Sequence, residues 1–250
     1  MASVTQRIKQ IKQPRGGYIK PREFSQNQLV DSTELSENEN IHASLVGGAV
    51  DYLTRFMIKT PVEDAFKTTI IGGAQIGKKE MAIYLASTVS GLDSESISAA
   101  CKLVGFDVVY RGQPGLYKPV EDIQPDEDTI HNIKTLVNRN LAFLEGYGPI
   151  IKQGFTFEGG YTNLITAGDG DFLTKDTLWD FKTSKTAPTN KHTLQLLIYY
   201  LMGKQSIHKE FDTVENLGIF NPRLNIVYRL SVSDIPTGVI EAVKRDVVGY

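Results

Sequence analysis

Gly168-Asp169-Gly170-Asp171-Phe172 and, after the turn-like Lys175-Asp176-Thr177, Leu178-Trp179-Asp180-Phe181-Lys182-Thr183 lie within sixteen residues of one another. The second run is apolar and rich in β-favouring side chains, as a strand requires. Alternation along such a strand puts Asp180 and Lys182 on one face and Trp179, Phe181 and Thr183 on the other. Upstream, Asn163 to Phe172 is less regular, yet Leu173 to Asp180 is short enough to be a hairpin connection, which sets Asp171 beside Asp180. Two carboxylates held together repel unless a cation lies between them. Mg²⁺ takes a few oxygen ligands, keeps waters, and turns one of them into a nucleophile. Lys182 is then placed to orient that water or to stabilise charge building on phosphate oxygens. The plainer alternative is a surface hairpin whose carboxylates and lysines form solvated pairs.

The next segment adds a helix. From His192 to Met202, Leu194, Leu197, Ile198 and Leu201 recur at helical spacing, and Gly203 marks the expected stop. Gln195 and Tyr199 are four apart, so they neighbour each other on one flank of the apolar face. There they can contact a phosphate and a metal-bound water, or simply mark the border between buried and exposed faces. His192, one turn before Gln195, reads first as a surface histidine at a helix start.

The order of an early carboxylate, G-x-x-D, D-x-K and Q-x-x-x-Y resembles the PD-(D/E)XK nuclease superfamily, in particular its RecB-like branch. That branch carries a helical G-x-x-x-H-x-x-L motif far upstream. The nearest match is Gly47-Gly48-Ala49-Val50-Asp51-Tyr52-Leu53-Thr54-Arg55, with Asp51 where the histidine is expected; aspartate also ligates Mg²⁺. The resemblance implies an α/β fold with a restriction-endonuclease-like core, a mixed central sheet flanked by helices. It implies Asp51, Asp171 and Asp180 as ligands of Mg²⁺ or Mn²⁺, Lys182 as the catalytic lysine, and Gln195 and Tyr199 as the auxiliary pair. DNA is the expected substrate, single- or double-stranded, cut by metal-activated water without a covalent intermediate. A nuclease-fold module that binds nucleic acid or protein without cutting is the alternative, and a protein partner or a second copy of the chain is left open.

Composition sets the outer bounds. A chain of 250 residues, 41% hydrophobic and 22% charged, can bury a full core. No run reaches the length of a membrane span and no apolar signal core opens the sequence, so a cytoplasmic protein is expected. The one cysteine, Cys101, excludes an internal disulfide and a four-cysteine zinc or iron–sulfur site. The net charge is −2, but every charged residue before Glu23 is basic: Arg7, Lys9, Lys12, Arg15, Lys20 and Arg22. Such an arm contacts phosphates without sequence preference, or is a solvated terminus.

Elsewhere the first half reads as helical. Leu45, Val46, Ala49, Val50, Leu53, Phe56 and Met57 mark a helix carrying Asp51. Ala82, Ile83, Leu85, Ala86 and Val89 mark a second, ended by Gly91. Ser94 is the expected cap of a third, running to about Val104 before Gly105. Ile130, Ile133, Leu136, Val137 and Leu141 mark a fourth, opened by the acidic Asp126 to Asp128. Strands are expected from about Gly154. Leu217 to Phe220 and Asn225 to Val232 resemble a hairpin around Asn221-Pro222-Arg223-Leu224, and Val239 to Val248 a last helix. Glu158 reads as an exposed strand position. One integrated domain over 1–250 is expected, with 1–145 a mainly helical elaboration contributing Asp51 and 146–250 the catalytic core. Gly72-Gly73-Ala74-Gln75-Ile76-Gly77-Lys78-Lys79 nearly matches a nucleotide-binding P-loop, a third functional choice. Lys79 stands where Ser or Thr should hold Mg²⁺, so a glycine-rich turn before a helix is the default.

Overall fold

The basic N-terminal segment is folded, and apolar residues set among its charges are the reason. In the computed structural model, which describes residues 2–250, β1 (Ala2–Ser3) leads into α1 (Val4–Gln10), and β2 (Ser25–Gln28) follows. Ser3 and Gln6 cap α1 reciprocally: the Ser3 hydroxyl accepts from Gln6 N–H and the Gln6 amide oxygen from Ser3 N–H. Val4, Ile8, Ile19 and Phe24 are buried. Arg7 donates to the carbonyls of Val247 and Asp246, both at 2.9 Å, capping the end of the chain's last helix.

The chain forms two compact units: the segment up to Asp31 together with Leu144–Tyr250, and Ser32–Phe143 inserted in sequence. The inserted unit is helical. It holds α2 (Ala43–Met57), α3 (Val62–Ala65), α4 (Lys67–Gln75), α5 (Lys79–Thr88), α6 (Ser94–Val104), α7 (Asp107–Tyr110) and most of α8 (Glu127–Tyr147), whose end, from Leu144, belongs to the first unit. Its core includes Val46, Val50, Leu53, Ile97, Leu103, Phe106, Ile133 and Leu136. Asp93, not Ser94, caps α6: its carboxylate accepts from Ser96 N–H at 2.9 Å, and a charged acceptor one residue earlier outcompetes the serine. Asp126 likewise accepts from Thr129 N–H at the start of α8.

The P-loop-like segment is not a loop. Gly72 and Gly73 lie inside α4, and a Cβ on Gly72 would fall 2.3 Å from the Phe106 carbonyl oxygen. Close packing of two backbones explains these glycines, and Lys78 pairs with Glu121 at 3.1 Å. Neither the phosphate loop nor the glycine-rich turn expected there is present, apart from Gly77 at φ +72° between α4 and α5.

The first unit is a mixed α/β structure. β3 (Ile150–Phe155), β4 (Ile165–Ala167), β5 (Gly170–Thr174), β6 (Thr177–Phe181), α9 (Asn190–Gln205), β7 (Asn216–Asn221), β8 (Ile226–Ser231) and α10 (Thr237–Ala242) follow in order, α10 continuing as a π-helical stretch over Val243–Val248. Six strands make one sheet in the order β2-β8-β7-β6-β5-β3, and β1 pairs with β4 apart from it. Only β6 and β7 are parallel within the six; a parallel pair needs a crossover, which α9 supplies. Strands thus occur well before Gly154, because β1 and β2 pair with partners far along the chain that no local pattern reveals. α9 also outruns the expected helix. Gly203 lies within it because a Cβ there would meet the buried Phe211 ring at 2.1 Å. Among the described residues no helix is long and apolar enough to cross a membrane.

Candidate functional site

β5 and β6 are a tight antiparallel hairpin, with Phe172 opposite Trp179 and Leu173 opposite Leu178. One step further along the same register brings Asp171 opposite Asp180. The Asp171 carboxylate accepts from Phe181 N–H at 2.8 Å, which fixes it against the neighbouring strand. Gly170 permits the strand to start there, since a Cβ would run into the Phe155 ring on β3.

Alternation then divides the faces. Phe172 and Phe181 (centroids 4.7 Å apart), Phe220, and Trp179 against Tyr147 pack on one side. Leu173 and Leu178 join the core cluster that contains α9, so Asp171, Asp180 and Lys182 share the α9 side. Lys182 N–H donates to Phe220 O, carrying the ladder one residue beyond β6.

Asp180 is 2% exposed. The Lys182 ammonium lies 2.8 Å from its Oδ1 and 2.7 Å from its Oδ2. The ammonium therefore pairs with both oxygens of a buried carboxylate. A buried carboxylate needs such a partner, because an uncompensated charge there costs several kcal/mol.

Above the hairpin, Gln195 donates its amide N–H to the Tyr199 hydroxyl at 2.8 Å. Tyr199 is 5% exposed and its ring stacks on Phe157 at 5.0 Å. Burial first, then the negative charge of Asp180, and more weakly that of Asp171 and Asp169, push its ionisation far above the ordinary phenol value. The Tyr199 ring lies against the turn before Asp171, its Cε1 3.4 Å from where a Cβ on Gly168 would stand. The phenol stays protonated; with its oxygen already accepting from Gln195, its own hydrogen remains to donate.

His192 is half-buried in the first turn of α9. Its Nδ1 accepts from Thr189 N–H at 3.2 Å, so the neutral ring carries its proton on Nε2. Burial, then the positive charge of Lys182, hold its pKa below the usual histidine value.

The structure therefore brings together Asp171, Asp180, Lys182, Gln195 and Tyr199. Asp51 lies on α2 of the inserted unit, where Arg55 engages its two oxygens at 3.0 and 3.1 Å. Among the described residues no group of three or more His, Cys, Asp or Glu side chains is arranged to hold a metal. Glu158 bonds the Thr156 hydroxyl and pairs with His208 at 3.2 Å.

Two supporting residues escaped the sequence reading. Tyr161 accepts from Phe157 N–H and donates to Gly168 O, holding the turn before Asp171. Asn221, read only as a hairpin turn, is fully buried and donates to Ser184 O and Thr186 O, clamping the loop after Lys182. Spacing cannot reveal Asn221, which acts on backbone 37 and 35 residues away; Tyr161 acts only four and seven residues away, but across an irregular turn that no periodic pattern marks. Comparison with family models, with curated proteins and with solved structures finds no match to this chain.

Proposed function

We propose that this chain is a divalent-metal-dependent nuclease that hydrolyses DNA phosphodiester bonds, built on a restriction-endonuclease-like core of the PD-(D/E)XK, RecB-like kind. The observation that carries the reading is the buried Asp180 carboxylate, directly across the hairpin from Asp171 and paired with Lys182 on the same face. Hard oxygens of this kind suit Mg²⁺ or Mn²⁺, which one or two carboxylates can hold together with substrate phosphate. When bound, the cation supplies charge for the phosphate oxygens and lowers the pKa of the attacking water.

The rest falls to the protein's own groups. Asp171 is held in place by Phe181 N–H. Lys182 pairs with the buried Asp180 and presents a charge that can pass to a phosphate oxygen as the transition state forms. Tyr199, kept protonated and oriented by Gln195, donates its hydroxyl to the same or an adjacent phosphate.

The competing reading is a nuclease-fold module that binds without cutting. The Lys182–Asp180 ion pair favours it, since that pair compensates the carboxylate without a metal ion.

Incubation of the purified chain with single- and double-stranded DNA in Mg²⁺ or Mn²⁺ tests the proposal. Cleavage is expected from the wild type and none from Asp180→Asn, whose far-UV spectrum should be unchanged. Near-normal cleavage by Asp180→Asn would sink the site; DNA binding without cleavage by the wild type would establish the silent module. Metal titration of Asp51→Asn separates a ligand, which should weaken affinity as Asp180→Asn does, from a residue serving only its helix.

A further inference from the structure

We propose that the loop from Pro14 to Arg22 is a phosphate subsite, receiving a backbone or terminal phosphate of the strand that is cut. The substrate class rests on the nuclease reading; the anion site itself rests on the charge, shape and seating of the loop. An open cavity of about 650 Å³ is lined by Arg15, Gly16, Lys20, Pro21 and Arg22. Three of the five are cations and none is acidic. No ion pair among the described residues involves any of the three. The nearby Glu23 carboxylate accepts instead from the backbone N–H of Lys20, at 3.2 Å. Like charges gathered around a cavity without a counter-charge raise its potential and attract an anion.

The loop is shaped as well as charged. Gly16 and Gly17 have φ of +88° and +95°, a backbone that side-chain-bearing residues rarely adopt, and Gly17 N–H closes the turn on Pro14 O at 2.9 Å. The Lys20 side chain lies along Gly16, its Cε 3.4 Å from where a Cβ would stand, which draws that cation over the turn.

The loop is also fixed to the site. Ile19 is buried, and its carbonyl accepts from the Thr193 hydroxyl at 2.7 Å. A Cβ on Gly17 would lie 2.5 Å from Cβ of Asn190, so the loop sits directly on the first turn of α9. His192, in that same turn, feels the charges of Lys182 and Asp180. From Asn190 to Gln195 the helix rises about 7–8 Å. The loop thus sits about one to two turns along α9 from Gln195. The helix N-terminus adds its partial positive charge to the same region.

The test is binding of fluorescent oligonucleotides, single-stranded and duplex, carrying either a 5′-phosphate or a 5′-hydroxyl. Chelator prevents cutting, and affinity is followed from about 50 to 200 mM salt. The variant Arg15→Gln/Lys20→Gln/Arg22→Gln is compared with wild type and with a control removing equal charge elsewhere, Lys67→Gln/Lys175→Gln/Lys209→Gln. The loop variant is expected to lose about two to three from the slope of log affinity against log salt, near one per phosphate contact, and the control much less. Thr193→Val, which unseats the loop without altering charge, should weaken binding, and Thr193→Ser should restore it. A loss confined to 5′-phosphorylated strands identifies a terminal phosphate, and an equal loss on both identifies an internal one. An unchanged slope in the loop variant, or no salt-dependent binding by wild type, overturns the subsite. Cleavage in Mn²⁺ is read in parallel: cutting without the slope change removes the subsite alone, whereas the slope change without cutting removes the nuclease reading alone.

Discussion

Asp180 and Lys182 form a contact that stabilises the site and that the proposed cleavage would have to loosen. With Asp180 2% exposed, removing Lys182 strands a buried charge. Lys182→Met should cost about 2–4 kcal/mol, toward the lower end of the range for a broken buried pair because the lysine is partly exposed. Urea unfolding without metal measures this, and Mn²⁺ should recover part of the loss by taking over the compensation. Tyr199 makes a different prediction. It cannot replace a carboxylate, because it stays neutral, so Tyr199→Phe should leave metal affinity nearly unchanged while slowing cleavage by about 2–4 kcal/mol of transition-state stabilisation, the scale of one lost preorganised donor. Single-turnover kinetics and metal titration on the same variant separate the two effects. Wild-type cutting by both Tyr199→Phe and Gln195→Ala would reduce this helix face to packing.

α9 connects the parallel strands β6 and β7, and its position depends on Gly203 lying against Phe211. Gly203→Ala should destabilise the fold by about 1–3 kcal/mol through overpacking. Adding Phe211→Val, which makes room, should return part of that loss in a double-mutant cycle; strict additivity would show that the two do not meet. The same helix shows what local sequence reveals and what it hides. Strand alternation and the short connection around Lys175-Asp176-Thr177 made the pairing of Asp171 with Asp180 legible, because both follow from nearest-neighbour geometry. The positions of Gln195 and Tyr199 were legible for the same reason. The ends of α9 were not: Leu194, Leu196, Leu197, Ile198, Tyr199, Leu201 and Met202 are all buried, so no polar stripe marks its limits and Gly203 passes for a stop. β2 reads Ser25-Gln26-Asn27-Gln28, exposed throughout, and is a strand only because β8 pairs with it. Val4, Ile8, Ile19 and Phe24 were overlooked among the basic residues, whose charge suggested an arm where apolar anchoring makes a folded segment.

In the molecule as a whole, the two units have separate cores, and pH should act on them unequally. In the inserted unit Asp107 accepts from the Tyr52 hydroxyl at 2.6 Å and the Thr68 hydroxyl at 3.1 Å. Burial raises its pKa above the usual carboxylate value, against the opposing influence of Tyr52, Arg111 and Thr68, with Asp51 adding to the rise. A raised pKa means the folded state holds the proton more tightly than the unfolded one. This contribution is therefore complete below about pH 4, the unperturbed value, and is lost as pH rises through the folded pKa. Asp107→Asn, which keeps an acceptor without the charge, should remove that slope, so thermal melts of variant and wild type should diverge from pH 4 upward in the variant's favour. Parallel curves would leave Asp107 unburdened by its burial. The interruption of the sheet-bearing unit between Asp31 and Leu144 has a consequence for biosynthesis. Ser25 pairs with Arg229, so β2 leaves the ribosome about 200 residues before its partner, on the order of 10–40 s at ordinary elongation rates. In that interval the helical insert, with its own core, can fold first. Val4, Ile8, Ile19 and Phe24 wait uncovered for α9 and β8, and a chaperone that shields nascent apolar segments would find its first client site there.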